Sequence, residues 1–209
     1  MDATAHPARM PTGSACGRSC PQAWAAVGGV RHHERMNETE QLLEQVAARA
    51  HNSAQGNGKP LPAALGTAEI ARAEGILGFA LPPLLAALYT RVGDGGFGPE
   101  CGLLSLHDAV SAYGAGRSSA WRWPEGVLPI ADFGCSLSVC VDCRSDTAQV
   151  LLFDPGLGEP ELAWSIDTPS LAAWLHGWLD GTAWYCDASG AGEEFDLELT
   201  LWDGFRSRI

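Results

Sequence analysis

The chain has 209 residues, 46% of them hydrophobic and 18% charged. That describes a globular protein large enough for one well-buried domain with tails, and excludes a disordered chain. Twenty-five acidic against 13 basic residues give a formal charge of −12, which argues against a nucleic-acid binder, because such proteins need a basic footprint to displace counterions. No run approaches the roughly 18 uninterrupted apolar residues of a membrane helix. Pro, Gly, Ser, Cys and Arg interrupt residues 1–30, where the apolar core of a secretion signal would lie. A cytoplasmic location is therefore the expectation. Seven scattered cysteines, an odd number, suit reduced thiols better than a disulfide framework.

Residues 1–36 read as a poorly ordered tail, in which Met1 to Gly17 is rich in small residues, Pro and Gly, with Met36 as an alternative native start. The first helix is predicted from Glu38 to Ala50, with Leu42, Leu43 and Val46 on its apolar stripe and Asn37 or Thr39 at its cap. Asn52 to Pro62, with Gly56-Asn57-Gly58, reads as a linker loop. Thr67 can cap a second helix whose stripe is Ile70, Ala73 and Leu77, and Gly78 sits where a helix end wants a left-handed residue. Pro82 and Pro83 fit the first turn of a third helix. Leu84, Leu85 and Leu88 line its buried face, and Gly93-Asp94-Gly95-Gly96 stops it.

The pattern then turns to period two. Leu104 and Leu106 close a short strand, His107-Asp108 starts a helix, and Ser111 to Trp123 reads as a loop with a helical fragment. Val127–Ala131 is a strand. Leu137, Val139 and Val141 alternate with polar or small residues, as in a half-buried antiparallel strand. Gln149–Phe153 and Glu161–Ser165 are further strands around an Asp154-Pro155-Gly156 turn. Thr168-Pro169-Ser170 caps an amphipathic helix carrying Leu171, Trp174, Leu175, Trp178 and Leu179, and Gly181 ends it. Past Tyr185 a small-residue linker leads to a patterned strand in which Phe195, Leu197, Leu199 and Leu201 alternate with Asp196, Glu198 and Thr200. Helices before and after an antiparallel sheet make the class α+β, with helices mainly on one face.

No catalytic constellation stands out. Cys135, Cys140 and Cys143 form a C-x4-C-x2-C run, and zinc would need Cys101 or His107 as a fourth ligand. Cys140 and Cys143 flank a strand end and would tend to face opposite sides, so buried small hydrophobes are the simpler reading. Cys16 and Cys20 lie in the tail. His32-His33-Glu34 lacks the helical pair of a metalloprotease motif and has non-helical flanks, while His107 and His176 are isolated. Asp94, Asp132, Asp142, Asp146 and Asp154 sit at strand ends or turns, where a hydrolase could gather them, but turn chemistry also places Asp there. No phosphate loop or nucleophile elbow occurs. No metal or cofactor is expected. Trp121-Arg122-Trp123, in a loop before Pro124, offers residue types that anchor protein interfaces; the same rings could instead fold back over the core.

Glu74 with Leu77-Gly78, Leu81-Pro82, Leu88-Tyr89 and the Gly95-Gly96 turn come first. Then follow Gly102 to Leu106, the Trp121/Trp123 loop, Leu128 to Asp132, and a late helix with Trp174-Leu175. This succession, roughly Asn37 to Tyr185, resembles the Smi1/Knr4 family, also called the SUKH superfamily. The family turn usually carries Asn before its glycines, and Asp94 stands there here. The resemblance implies a single α+β domain over 37–185, with a mostly antiparallel twisted sheet, followed by a linker and terminal strand over 186–209. It also implies protein recognition without catalysis. Many bacterial members look like immunity proteins that bind and neutralise toxins, while eukaryotic relatives regulate wall synthesis and signalling. The expected partner is a protein, for instance a basic toxin domain, with neither nucleic acid nor membrane. The expected contact residues are Glu74, Asp94, Gly95, Gly96, Trp121, Trp123 and Asp132. A regulatory or scaffolding module without a toxin partner and a small carboxylate-dependent hydrolase stand as alternatives.

Overall fold

The computed structural model describes residues 23–99, 102–134, 136–183 and 199–209, with side chains from Glu38 onward except Asn57. The chain divides into Met1–Met36 and Asn37–Ile209, and the sheet belongs to the second unit. The elements are helices α1 (Ala23–Asn57), α2 (Thr67–Leu77), α3 (Pro83–Arg91) and α4 (Leu106–Arg117), then strands β1 (Val127–Asp132), β2 (Ser138–Asp142), β3 (Val150–Phe153) and β4 (Trp164–Thr168), helix α5 (Leu171–Asp180) and strand β5 (Thr200–Leu201). The five strands pair in sequence order, each antiparallel to the next. The protein is an α+β domain.

Local chemistry explains the helix boundaries. Ser170 Oγ accepts from the Ala173 N–H at 3.1 Å at the start of α5, and Gly181, at φ 69°, ends it in the left-handed conformation. Gly78 does the same for α2 at φ 80°. The cap of α2 is Gly66 rather than Thr67. With no side chain of its own, Gly66 relies on Glu69, whose carboxylate accepts from the Gly66 N–H at 2.7 Å. The expected apolar stripes point inward, with Leu42, Leu43, Val46, Ile70, Ala73, Leu77, Leu85, Leu88, Leu171, Trp174, Leu175 and Trp178 all buried. Leu84 is only partly buried, and Tyr89 takes the interior place, its hydroxyl donating to the Leu104 carbonyl at 3.0 Å.

Several sequence expectations need correction. Helix α1 starts at Ala23 and runs to Asn57, so it takes in His32-His33-Glu34 and the first part of the expected Asn52–Pro62 loop. Leu104 and Leu106 do not close a strand. Leu103 makes one isolated bridge to Ala131, and Leu106 opens α4, whose cap Ser105 accepts from the Asp108 N–H at 3.1 Å. That helix reaches Arg117 through residues read as loop. Strand β4 lies three residues later than the Glu161 start expected for it, at Trp164–Thr168. Its partner register, Phe153 opposite Trp164, sets it there.

Strand β2 is not half-buried: Val139, Cys140, Val141 and Asp142 are all buried. Successive strand residues point to opposite faces, so both faces of this internal strand are covered. On one face Phe153 and Trp164 carry an aromatic cluster with Trp121, Trp123 and Trp202. Trp202 and Phe205 are buried and bring the C-terminal segment into the core. Of the expected terminal strand, Thr200–Leu201 is seen paired to β4, and Phe195 to Glu198 lie outside the described residues. Residues 1–22, with Cys16 and Cys20, lie outside them too, as do Cys101 and Cys135.

Candidate functional site

A groove of about 470 Å³ runs between α4 and the start of the sheet. Leu104, Ala112, Ala115, Pro129 and Ala131 line it with apolar groups, together with the rings of Trp121 and Trp123, and Asp108 and Asp132 are its acids. No Lys or Arg lines it. An apolar trough with two carboxylates and no cation suits an apolar side chain flanked by positive charge.

The two tryptophans divide the roles that the sequence left open. Trp123 is 6% exposed, and its indole N–H donates to the Val127 carbonyl at 2.7 Å. Gly116 makes room for it on α4, since a Cβ there would meet the Trp123 ring at 2.6 Å. Trp121 stays half-buried, standing edge-on to Phe153 with ring centroids 5.5 Å apart. Between them Arg122 adopts φ 51°, one of three described non-glycine residues with positive φ. A left-handed L-residue costs roughly 1–2 kcal/mol. It turns the chain between one ring that completes the core and one left at the groove.

Both carboxylates are held in place. Asp108 accepts from Ser105 Oγ at 2.7 Å at the start of α4, and Asp132 accepts from the Gly134 N–H at 2.8 Å in its turn. Both residues remain exposed, so each acid is oriented yet free to meet a partner. Asp108 is not among the contact residues expected from the sequence. The signal was present, because Ser105 and Asp108 have the spacing of a capping box.

The remaining expected contact residues lie elsewhere. Glu74 Oε1 accepts from the Leu81 N–H at 2.8 Å, tying the end of α2 to the start of α3. Asp94 Oδ1 accepts from the Leu106 N–H at 2.7 Å and lines a smaller crevice of about 200 Å³ between α2 and α4, beside the exposed Ile76. Gly95 is buried against the Leu103–Leu104 backbone, and Gly96, whose N–H donates to the Leu103 carbonyl at 2.8 Å, borders a third cleft. The groove thus unites Trp121, Trp123 and Asp132, and Glu74, Asp94, Gly95 and Gly96 are not part of its lining.

Four of the five aspartates singled out in the sequence serve local structure. Asp94, Asp132, Asp142 and Asp154 each spend oxygens on a nearby backbone N–H, Asp142 with an arginine as well. Burial pushes the Cys140 thiol well up and the Cys143 thiol to about 12, which opposes the thiolate that a metal or a nucleophile would require. Among the described residues no group of three or more His, Cys, Asp or Glu could hold a metal ion. No helix among them is long and apolar enough to cross a membrane.

A meander sheet flanked by helices, with an aromatic and acidic groove beside α4, defines a small α+β domain. The chain belongs to the SMI1 / KNR4 family (SUKH-1), whose family model matches residues 65–177, more than half of its length. No curated protein matches it. The matched stretch runs from the approach to α2 into α5, so it contains the whole groove, while the buried Trp202 and Phe205 lie beyond it.

Proposed function

We propose that this chain is a non-catalytic protein-binding module of the immunity type, which neutralises a toxin inside the producing cell by binding and occluding it. The observation that carries this reading is the groove itself. Trp121 offers an aromatic anchor, Asp108 and Asp132 supply oriented negative charge, and no cation opposes them. Family membership and the formal charge of −12 support it. The partner is a basic toxin domain that inserts an apolar side chain over Trp121 and sets a neighbouring Lys or Arg against the two aspartates. The acidic surface accelerates encounter, and the groove determines how long the complex lasts.

The test is association with a toxin domain encoded beside this gene, followed at two salt concentrations. Binding should slow as salt rises, and Trp121→Ala should weaken affinity by about tenfold or more. Association indifferent to salt, or an unchanged affinity for Trp121→Ala, would overturn the reading.

A further inference from the structure

We propose a second binding site, for a small organic oxyanion with an apolar body, in the cleft between the end of α1 and the glycine turn at Gly96–Gly98. The cleft holds about 370 Å³, within the roughly 300–1,000 Å³ of small-molecule sites. Its described lining carries two cations and no carboxylate, in a chain whose formal charge is −12. Among the described arginines, Arg91, Arg144, Arg206 and Arg208 are paired with carboxylates, while Arg72, Arg117 and Arg122 are not so paired but do not line this cleft. Arg49 and Lys59, the sole lysine of the sequence, have no carboxylate partner among the described residues, and both line this cleft. No Asp or Glu stands with them in the described lining.

Arg49 is already positioned. Its Nη1 donates to the Leu179 carbonyl at 2.8 Å, and its guanidinium lies over the Trp178 ring, 4.9 Å from the centroid. These contacts use one of five N–H donors and fix the plane of the fork, which leaves the others for a planar or tetrahedral oxyanion. Lys59 adds a mobile point charge. Trp178, Phe97 and Leu61 supply an apolar wall. At Gly98, with φ 114°, a Cβ would meet nothing nearer than 3.6 Å, so the backbone borders the cleft without a side chain in the way. Two cations beside aromatic walls select a carboxylate or a phosphate ester joined to an apolar group, and this site shares no residue with the groove.

The experiment is an NMR titration of the whole isotopically labelled chain with phenyl phosphate and, separately, benzoate, with inorganic phosphate as a third arm. Saturable shifts should centre on the Trp178 indole and the Gly96 and Gly98 amides, and the tighter of the two organic anions identifies the head group. Lys59→Gln should weaken binding about fivefold, and Arg49→Gln about tenfold with the spectrum otherwise retained. Trp121→Ala should leave the titration unchanged. An absence of saturable shifts, shifts centred elsewhere, or a Lys59→Gln titration equal to that of the parent would overturn the proposal. Inorganic phosphate binding as tightly as phenyl phosphate would refute the apolar part of the site.

Discussion

The guanidinium of Arg208 holds Asp142 by two parallel hydrogen bonds, Nη1 to Oδ1 at 3.0 Å and Nη2 to Oδ2 at 3.1 Å. Asp142 is 3% exposed at the end of β2, and its Oδ1 also accepts from the Arg144 N–H at 3.0 Å. The Arg208 carbonyl in turn accepts from the Glu125 N–H at 2.7 Å. A carboxylate buried at the end of an apolar strand is thereby satisfied from 66 residues away. Removing one partner leaves the other charge with little water, so Asp142→Ala or Arg208→Ala should each destabilise by about 2–4 kcal/mol in urea unfolding. The double variant should lose less than the sum. Single variants within about 0.5 kcal/mol of the parent would show that the pair contributes little.

Gly95 and Gly78 both have positive φ, 75° and 80°, but differ in surroundings. A Cβ on Gly95 would lie 2.6 Å from Leu103 and Leu104 backbone atoms, whereas one on Gly78 would meet nothing within 4 Å. Gly78→Ala should therefore cost only the left-handed strain, about 1 kcal/mol. Gly95→Ala should cost at least about 3 kcal/mol, because backbone cannot rotate out of the way. Thermal unfolding of the two variants side by side checks the difference.

Trp123→Ala and Trp121→Ala should separate stability from recognition. The first removes a buried ring and orphans the Val127 carbonyl it serves, at about 3–5 kcal/mol of stability. The second removes a half-buried ring and should cost about 1–2 kcal/mol, much less than Trp123. Chemical unfolding measures both. A Trp121→Ala loss equal to that of Trp123→Ala would make Trp121 another core residue.

The thiols of the buried Cys140 and the half-buried Cys143 predict a loss of stability in alkali. Burial raises the Cys143 thiol to about 12, with the neighbouring Asp142 charge adding to the effect. The folded state therefore keeps its proton where the unfolded chain has lost it. This contribution is intact below about pH 9, and declines by up to about 1.4 kcal/mol per pH unit as the pH rises toward 12. Cys140 acts in the same direction. Cys143→Ala should flatten the dependence of the urea midpoint on pH above 9; an unchanged slope would contradict the assignment.

Glu74 should affect folding without affecting recognition. Its carboxylate accepts from the Leu81 N–H across the turn between α2 and α3. Glu74→Ala should then lower stability by about 1–2 kcal/mol and leave partner affinity within about twofold, since the residue does not line the groove. A large affinity loss at full stability would return Glu74 to the interface.

Features that depend on neighbours in sequence were legible in it. The stripes of α2 and α5, the left-handed ends at Gly78 and Gly181, and the Ser170 cap each follow from a few adjacent residues. Features that depend on distant partners were not. Nothing in the period-two pattern around Val139 and Val141 reveals that Asp142 meets Arg208, or that Leu103 spends its one bridge on Ala131. The site was partly legible for the same reason. The two tryptophans and Asp132 could be picked by residue type, but their convergence with Asp108 depends on α4 lying beside β1. The burial of Trp123 rather than Trp121 depends on the space left by Gly116.

The order of the sheet has a kinetic consequence. Strands β1 to β3 each pair with the strand next in sequence, so these hairpins can close early over short loops at little entropic cost. The clasp between β2 and the far C-terminal turn closes a much longer loop and should form after the barrier. Weakening it should hasten unfolding and leave the refolding rate almost untouched.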